Sequence, residues 1–252
     1  MPIPDEWNLD GKVAFLTADK RGWTPYLAIA LSEAGAQLAV VGNTSSDANQ
    51  AYNMVIANGG NALEIKADIT NTNDIESAIN QTVTKFGSLD ILVNNAQLEF
   101  GKSFSEVSEE EWLTLMNFNV TSLFRLCKSV GEVMSENGGG RIINISSGLA
   151  VRGLWNSVPL CTAYGAVNQF TSSLALEWAH RNIRVNGIGA GWFSTNRATA
   201  SDDSELLVRY LPLRRKGHPE DLSGLLIYLS SDASDFVTGQ TIFIDGGALA
   251  HA

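Results

Sequence analysis

Asn119, Ser147 and Tyr164 are the side chains of this sequence that could act together on a carbonyl oxygen. A serine hydroxyl and a phenol each donate and accept hydrogen bonds, and a carboxamide does both through separate atoms. A site built from them could polarise a carbonyl for isomerisation or elimination, or relay a proton to a substrate oxygen through the serine. The spacing restricts the proton chemistry. Position 160, thirteen residues beyond Ser147, is leucine, and Tyr164 follows four residues later, about 6 Å further along a helix. No lysine occurs between Lys128 and Lys216, so no ammonium stands nearby to lower the pKa of a phenol. A phenol left at about 10 is a poor base at neutral pH. The histidines, His180, His218 and His251, fall on a helix end, a loop and the tail, where surface or turn roles are expected. No His/Cys/Asp cluster has the spacing of a metal site, and no metal is expected.

Alternating strands and helices must position these residues. Residues 13–16 form an apolar run, a loop follows, and a helical period over 26–34 stops at Gly35, with Thr24 as N-cap candidate and Pro25 at the first helical position. Further strands are expected over 38–41, 62–66, 91–93, 141–145, 184–188 and 241–244. Helices are expected over 47–58, 72–86, 109–134, 158–180 and 219–229. This alternation implies an α/β fold: a Rossmann-type, doubly wound, parallel seven-stranded sheet in a single domain spanning 1–252. Ligands bind such sheets outside the carboxyl ends of the strands, so the loops after Leu16, Val93, Ile145 and Ile188 should carry function.

Composition sets outer bounds. At 252 residues, 44% hydrophobic and 17% charged, the chain can bury one sizeable core. A formal charge of −10 gives no footprint for nucleic acid or anionic membrane. No apolar run approaches the roughly 20 residues of a membrane span, and residues 1–12 lack a basic then apolar leader, so a cytoplasmic location is expected. Cys127 and Cys161 are expected to be buried free thiols.

Several stretches are specific enough to carry a family resemblance: Leu9-Asp10-Gly11-Lys12-Val13, Leu89-Asp90-Ile91-Leu92-Val93-Asn94-Asn95-Ala96, Arg141-Ile142-Ile143-Asn144-Ile145-Ser146-Ser147, Ile183-Arg184-Val185-Asn186 and Asp245-Gly246-Gly247. From Asp10 to Gly247 the chain resembles the short-chain dehydrogenase/reductase family. The resemblance implies a catalytic asparagine at Asn119 and serine at Ser147, but Leu160 stands at the tyrosine position and Tyr164 at the lysine position. Arg152-Gly153 upstream and Leu174-Ala175-Leu176-Glu177-Trp178 downstream support that register.

The cofactor positions implied by the family are also altered. Of its glycine-rich turn, Thr17-Ala18-Asp19-Lys20-Arg21-Gly22-Trp23-Thr24 keeps only the middle glycine, Gly22. Gln97 replaces a glycine after Asn94-Asn95-Ala96. Arg21 and Lys20 suit a phosphate or a solvated loop face, Asp68 matches a residue that contacts adenine or caps its own turn, and Asn95 lies in the Asn94-Asn95-Ala96 stretch. The residues 192–210, with Ser194-Thr195 and the run from Thr199 through Asp202 and Asp203, match the family's substrate lid. From these losses we expect a non-catalytic subunit that binds no cofactor itself. It would pair with an active paralogue carrying NAD(P), in a hetero-oligomer and most simply a heterotetramer, similar to the inactive subunits of heteromeric short-chain dehydrogenases. The alternatives are an NAD(P)-dependent alcohol dehydrogenase or ketoreductase with an atypical site, and a nucleotide-independent lyase or isomerase using Ser147 and Tyr164.

Overall fold

All five residues of β1 (Val13–Thr17) are buried, as required of a strand covered by helices on both faces. Their side chains alternate: Ala14 and Leu16 join one core cluster, and Phe15 joins the other. The computed structural model describes residues 5–43, 45–201 and 204–250. His251 and the Asp202 and Asp203 positions of the expected lid therefore lie outside the described residues.

The chain continues through α1 (Thr24–Glu33), β2 (Gln37–Gly42), α2 (Ser45–Ala57), β3 (Ala62–Lys66), α3 (Thr72–Phe86) and β4 (Ile91–Asn94). It then forms α4 (Glu109–Met116), α5 (Ser122–Glu136), β5 (Gly140–Ser147), α6 (Val158–Trp178) and β6 (Ile183–Ala190). The last elements are α7 (Arg197–Ala200), α8 (Leu206–Tyr210), α9 (Ser223–Ser230) and β7 (Thr241–Ile244). The seven strands form one sheet in the order β3-β2-β1-β4-β5-β6-β7, and every neighbouring pair is parallel. Leu27 and Leu31 of α1, Ala51 of α2 and Leu226 of α9 cover one face. Ile75 of α3, Leu126 of α5 and Val167 of α6 cover the other.

Two elements differ from the sequence expectation. The single helix expected over 109–134 is divided by a wider π turn, Asn117–Thr121, between α4 and α5. Such turns insert an extra residue and shift the following side chains around the axis, often at functional sites. Here the displaced side chain is Asn119. At α1, Thr24 is the first helical residue and does not cap the helix. Trp23 occupies the cap position, and no side chain bonds the free amides there.

Gly35 ends the α1 region with φ +109°, in the left-handed range, and a Cβ there would lie 2.2 Å from Asp10 Oδ1. Only glycine fits. Among the described residues, no helix is long and apolar enough to cross a membrane.

Candidate active site

The order of the sheet brings the ends of β1, β4, β5 and β6 side by side, and the loops that leave them enclose a cavity of about 220 Å³. Ser147, the last residue of β5, lines it together with Leu160 and Tyr164 of α6. Ser147 Oγ accepts the Leu149 amide at 3.2 Å. A hydroxyl that accepts one bond still has its own hydrogen to give. No acceptor takes that hydrogen among the described residues, so it remains available to an oxygen in the cavity.

Tyr164 is buried, and its hydroxyl donates to Gln97 Oε1 at 2.8 Å. Gln97 Nε2 in turn donates to the Ile145 carbonyl of β5. Burial pushes the Tyr164 pKa up to about 12, against the opposing pull of the nearby Arg21 cation. The phenol therefore stays protonated at neutral pH and is no base. Leu160 packs with Tyr164 and Leu115, flanked by Leu98 and Phe100. It fills the wall apolarly and handles no proton.

Asn119 does not line this cavity. Its side-chain oxygen accepts the Leu98 amide at 2.7 Å, and its Nδ2 donates to the Leu98 carbonyl at 3.0 Å. The carboxamide staples the loop after β4 to the π turn. The sequence expectation puts Asn119 beside the reacting carbonyl; its side chain is instead bonded to the Leu98 backbone, outside the lining of this cavity.

The loop after β1 is tied down from across the sheet. Arg21 Nη2 donates to the Asn95 carbonyl at 3.0 Å and to Asn95 Oδ1 at 3.2 Å, while its Nε pairs with Asp19. Its guanidinium lies 3.8 Å from the centroid of the Trp23 ring, and Trp23 packs 5.2 Å from Phe193. Asn95 Nδ2 also donates to the Thr17 carbonyl and to Thr24 Oγ1, each at 3.3 Å. Lys20 is exposed and Arg21 is not, so the basic pair expected on one solvated face is split. Asp68 takes the turn-capping role: Oδ1 accepts the Thr70 amide at 2.9 Å and its hydroxyl at 2.7 Å.

His218 is buried, caps the short turn at Pro219–Leu222, and packs edge-on against Tyr26. His180 is exposed. Cys127 and Cys161 are free thiols; Cys127 is buried and Cys161 half-buried. Among the described residues no group of His, Cys, Asp and Glu is arranged to hold a metal ion.

A family model described as enoyl-(acyl carrier protein) reductase matches residues 17–248. The chain belongs to the short-chain dehydrogenase/reductase family. It is 37% identical to 2-dehydro-3-deoxy-D-gluconate 5-dehydrogenase of Dickeya dadantii, over 99% of this chain and 100% of the relative. It is 33% identical to 5-keto-D-gluconate 5-reductase of Escherichia coli, over 97% and 98% of the two chains. A gluconate 5-dehydrogenase from Burkholderia cenocepacia, solved in complex with NADP and tartrate, superposes with a TM-score of 0.90 at 32% identity, covering 98% of this chain and 99% of that one.

These likenesses overturn two expectations. Relatives spanning the whole chain are named dehydrogenases and reductases, so the reading as a non-catalytic subunit is corrected. The companion reading, that this chain binds no dinucleotide and leaves NAD(P) to a partner, falls with it, because a full-length relative is solved with NADP. Loss of a tyrosine–lysine pair and of glycines removes particular contacts; by itself it does not establish loss of the activity.

The start of α1 fits the phosphates of such a cofactor. The amides of Gly22, Trp23 and Thr24 have no acceptor among the described residues, and no side chain caps the helix. Gly22 keeps a left-handed turn, φ +76°, and the Arg21 cation lies beside it. Free amides and a helix N-terminus form an anion site. The ring end is narrower. The cavity is smaller than the roughly 300–1,000 Å³ typical of ligand pockets, and Trp23 and Phe193 form part of its wall. A nicotinamide ring entering there would need the Trp23 indole to move aside.

Sequence reasoning registered Gln97, Arg152, Trp192 and Tyr210 only as departures, register marks or lid residues. Gln97 holds the phenol, and the other three form an aromatic-flanked cation next to Ser147. The available signal was an arginine five residues beyond the serine, followed by two aromatics within the lid.

Proposed function

We propose that this chain is an NAD(P)-dependent oxidoreductase that interconverts a small carbonyl compound and its alcohol through an atypical proton-handling site. The observation that carries this reading is full-length similarity to named dehydrogenases and reductases, combined with a cavity in which Ser147 keeps a free hydroxyl hydrogen. A bound nicotinamide dinucleotide supplies the hydride. The free amides at the start of α1 would hold its phosphates. The Ser147 hydroxyl donates to the substrate oxygen and favours charge developing there.

Proton transfer bypasses the phenol. A serine hydroxyl backed by solvent water can relay a proton to the oxygen in carbonyl reduction, and the same relay run backwards removes it in alcohol oxidation. Tyr164, with its pKa pushed up to about 12 by burial, stays protonated in either direction.

The test is loss of reduced-nicotinamide absorbance when NADH or NADPH is mixed with the protein and 5-keto-D-gluconate or uncharged ketones, and gain of that absorbance when NAD⁺ or NADP⁺ is mixed with the protein and 2-dehydro-3-deoxy-D-gluconate. Turnover with any of them is the expected result. No turnover by well-folded protein, with no change in tryptophan fluorescence on adding either nucleotide, sinks the reading.

A further inference from the structure

Arg152 lies in the same cavity as Ser147, and its guanidinium rests against two aromatic rings. Its central carbon is 5.4 Å from the Trp192 ring centroid and 5.5 Å from that of Tyr210. The rings stand edge to face, 6.3 Å apart at 83°. Nη1 donates to the Tyr210 hydroxyl at 2.9 Å, the only hydrogen bond of this side chain among the described residues. An arginine has five N–H donors, so four are uncommitted.

No carboxylate pairs with Arg152 among the described residues. Two acidic residues line the cavity. Asp245 is occupied, its oxygens accepting the Gly247 amide at 2.9 Å and the Leu249 amide at 2.8 Å, and Glu99 is exposed. Aromatic faces stabilise a cation and fix its plane, but they do not satisfy N–H donors. A half-buried guanidinium with open donors is a receptor for a planar anion.

Arg21, the other cation lining the cavity, is paired with Asp19 and bonded to Asn95, so Arg152 is the cavity cation with open donors. The formal charge is −10, so a dissolved carboxylate is repelled at long range and is retained only by a local cation. The cavity volume of about 220 Å³ restricts the guest to a small molecule.

We infer that Arg152 is the carboxylate-binding residue of the substrate pocket, and that the substrate is a short hydroxy or oxo acid. Its carboxylate pairs with Arg152 while its carbonyl oxygen meets the Ser147 hydroxyl. Trp192 and Tyr210 hold the guanidinium ready for that pairing. The inference rests on the oxidoreductase reading for the role of Ser147, but binding alone tests it.

The experiment is calorimetric titration of D-gluconate, 5-keto-D-gluconate and the uncharged polyol D-glucitol into the full chain, with and without NADP⁺. Wild type, Arg152→Leu and Arg152→Lys are compared, with thermal unfolding as a check on folding. The acids should bind about ten- to one-hundred-fold more tightly than the polyol. Arg152→Leu should abolish that preference, and Arg152→Lys should keep part of it through charge without the fork. Equal affinity for acid and polyol, no binding of the acids in either condition, or a preference that survives Arg152→Leu overturns the inference. If Arg152→Leu does not fold, an unchanged preference in Arg152→Lys counts against bidentate pairing and overturns it. Acid binding that depends on Arg152 without turnover leaves the inference standing and removes the oxidoreductase reading. Turnover of uncharged ketones without acid preference does the reverse.

Discussion

Ser147 and Tyr164 line one cavity, yet their hydrogen bonds assign them different work. Ser147 retains a donor, whereas the Tyr164 hydroxyl is committed to Gln97. Replacing Ser147 with Ala should lower kcat/KM for carbonyl reduction by about 10²–10³, the usual cost of one oxyanion donor. Tyr164→Phe should leave that rate within a few fold. It should cost about 1–3 kcal/mol of stability, because Gln97 Oε1 loses its buried donor. Steady-state kinetics and denaturant unfolding of the two variants check both halves. A large kinetic loss in Tyr164→Phe would show that the phenol handles the proton after all.

The same burial has a pH signature. Tyr164 and Cys127 both rise to about 12, from usual values of 10.0 and 9.0. Their folded forms hold protons that the unfolded chain has released, so stability falls as pH climbs from about 9 towards 12. Denaturant midpoints over that range should drop, and less steeply in Tyr164→Phe. The missing tyrosine–lysine pair was legible in the sequence because it follows from counting residues. The inward turn of Arg21 was not, since its partner Asn95 lies far away in sequence and becomes a neighbour only when β1 pairs with β4.

At the scale of elements, short apolar runs revealed every strand, from the fully buried β1 to β7, which is apolar in sequence though none of its residues is fully buried. It could not reveal the π turn between α4 and α5. That turn depends on Asn119 reaching the Leu98 backbone, which is a tertiary contact. The start of α1 is similar: Trp23 enlarges the cap residue, and its stacking on Phe193 depends on the loop after β6. Trp23→Ile removes bulk from the cavity wall without touching the free amides. It should tighten NADP⁺ binding by about ten-fold, a gain of roughly 1.4 kcal/mol. Calorimetry of wild type and variant decides. Unchanged or weaker binding would mean that the indole already stands clear of the nucleotide.

For the whole molecule, parallel pairing followed from the alternation of strands and helices, and the cleft from the loops at the carboxyl ends of the strands, whereas the strand order is set by tertiary pairing. Function is not legible at this scale: losses at separate positions read as loss of the whole activity, and full-length relatives named dehydrogenases and reductases overturn that reading. The described surface carries exposed apolar side chains on three helices, Leu113 of α4, Phe124 of α5 and Leu176 of α6. We expect short-chain dehydrogenase chains, whether copies of this one or a paralogue, to assemble through these helices. Native mass should exceed that of the 27.1 kDa chain, and Leu176→Glu should lower it; a monomeric wild type would rule the assembly out.

Leu160 and Tyr164 stand one helical turn apart on the cavity wall, both set by α6. In mutational steps, then, this site lies close to one with a phenol–ammonium pair, and the path crosses no change of fold. A lineage could travel it in either direction while the seven strands stay where they are.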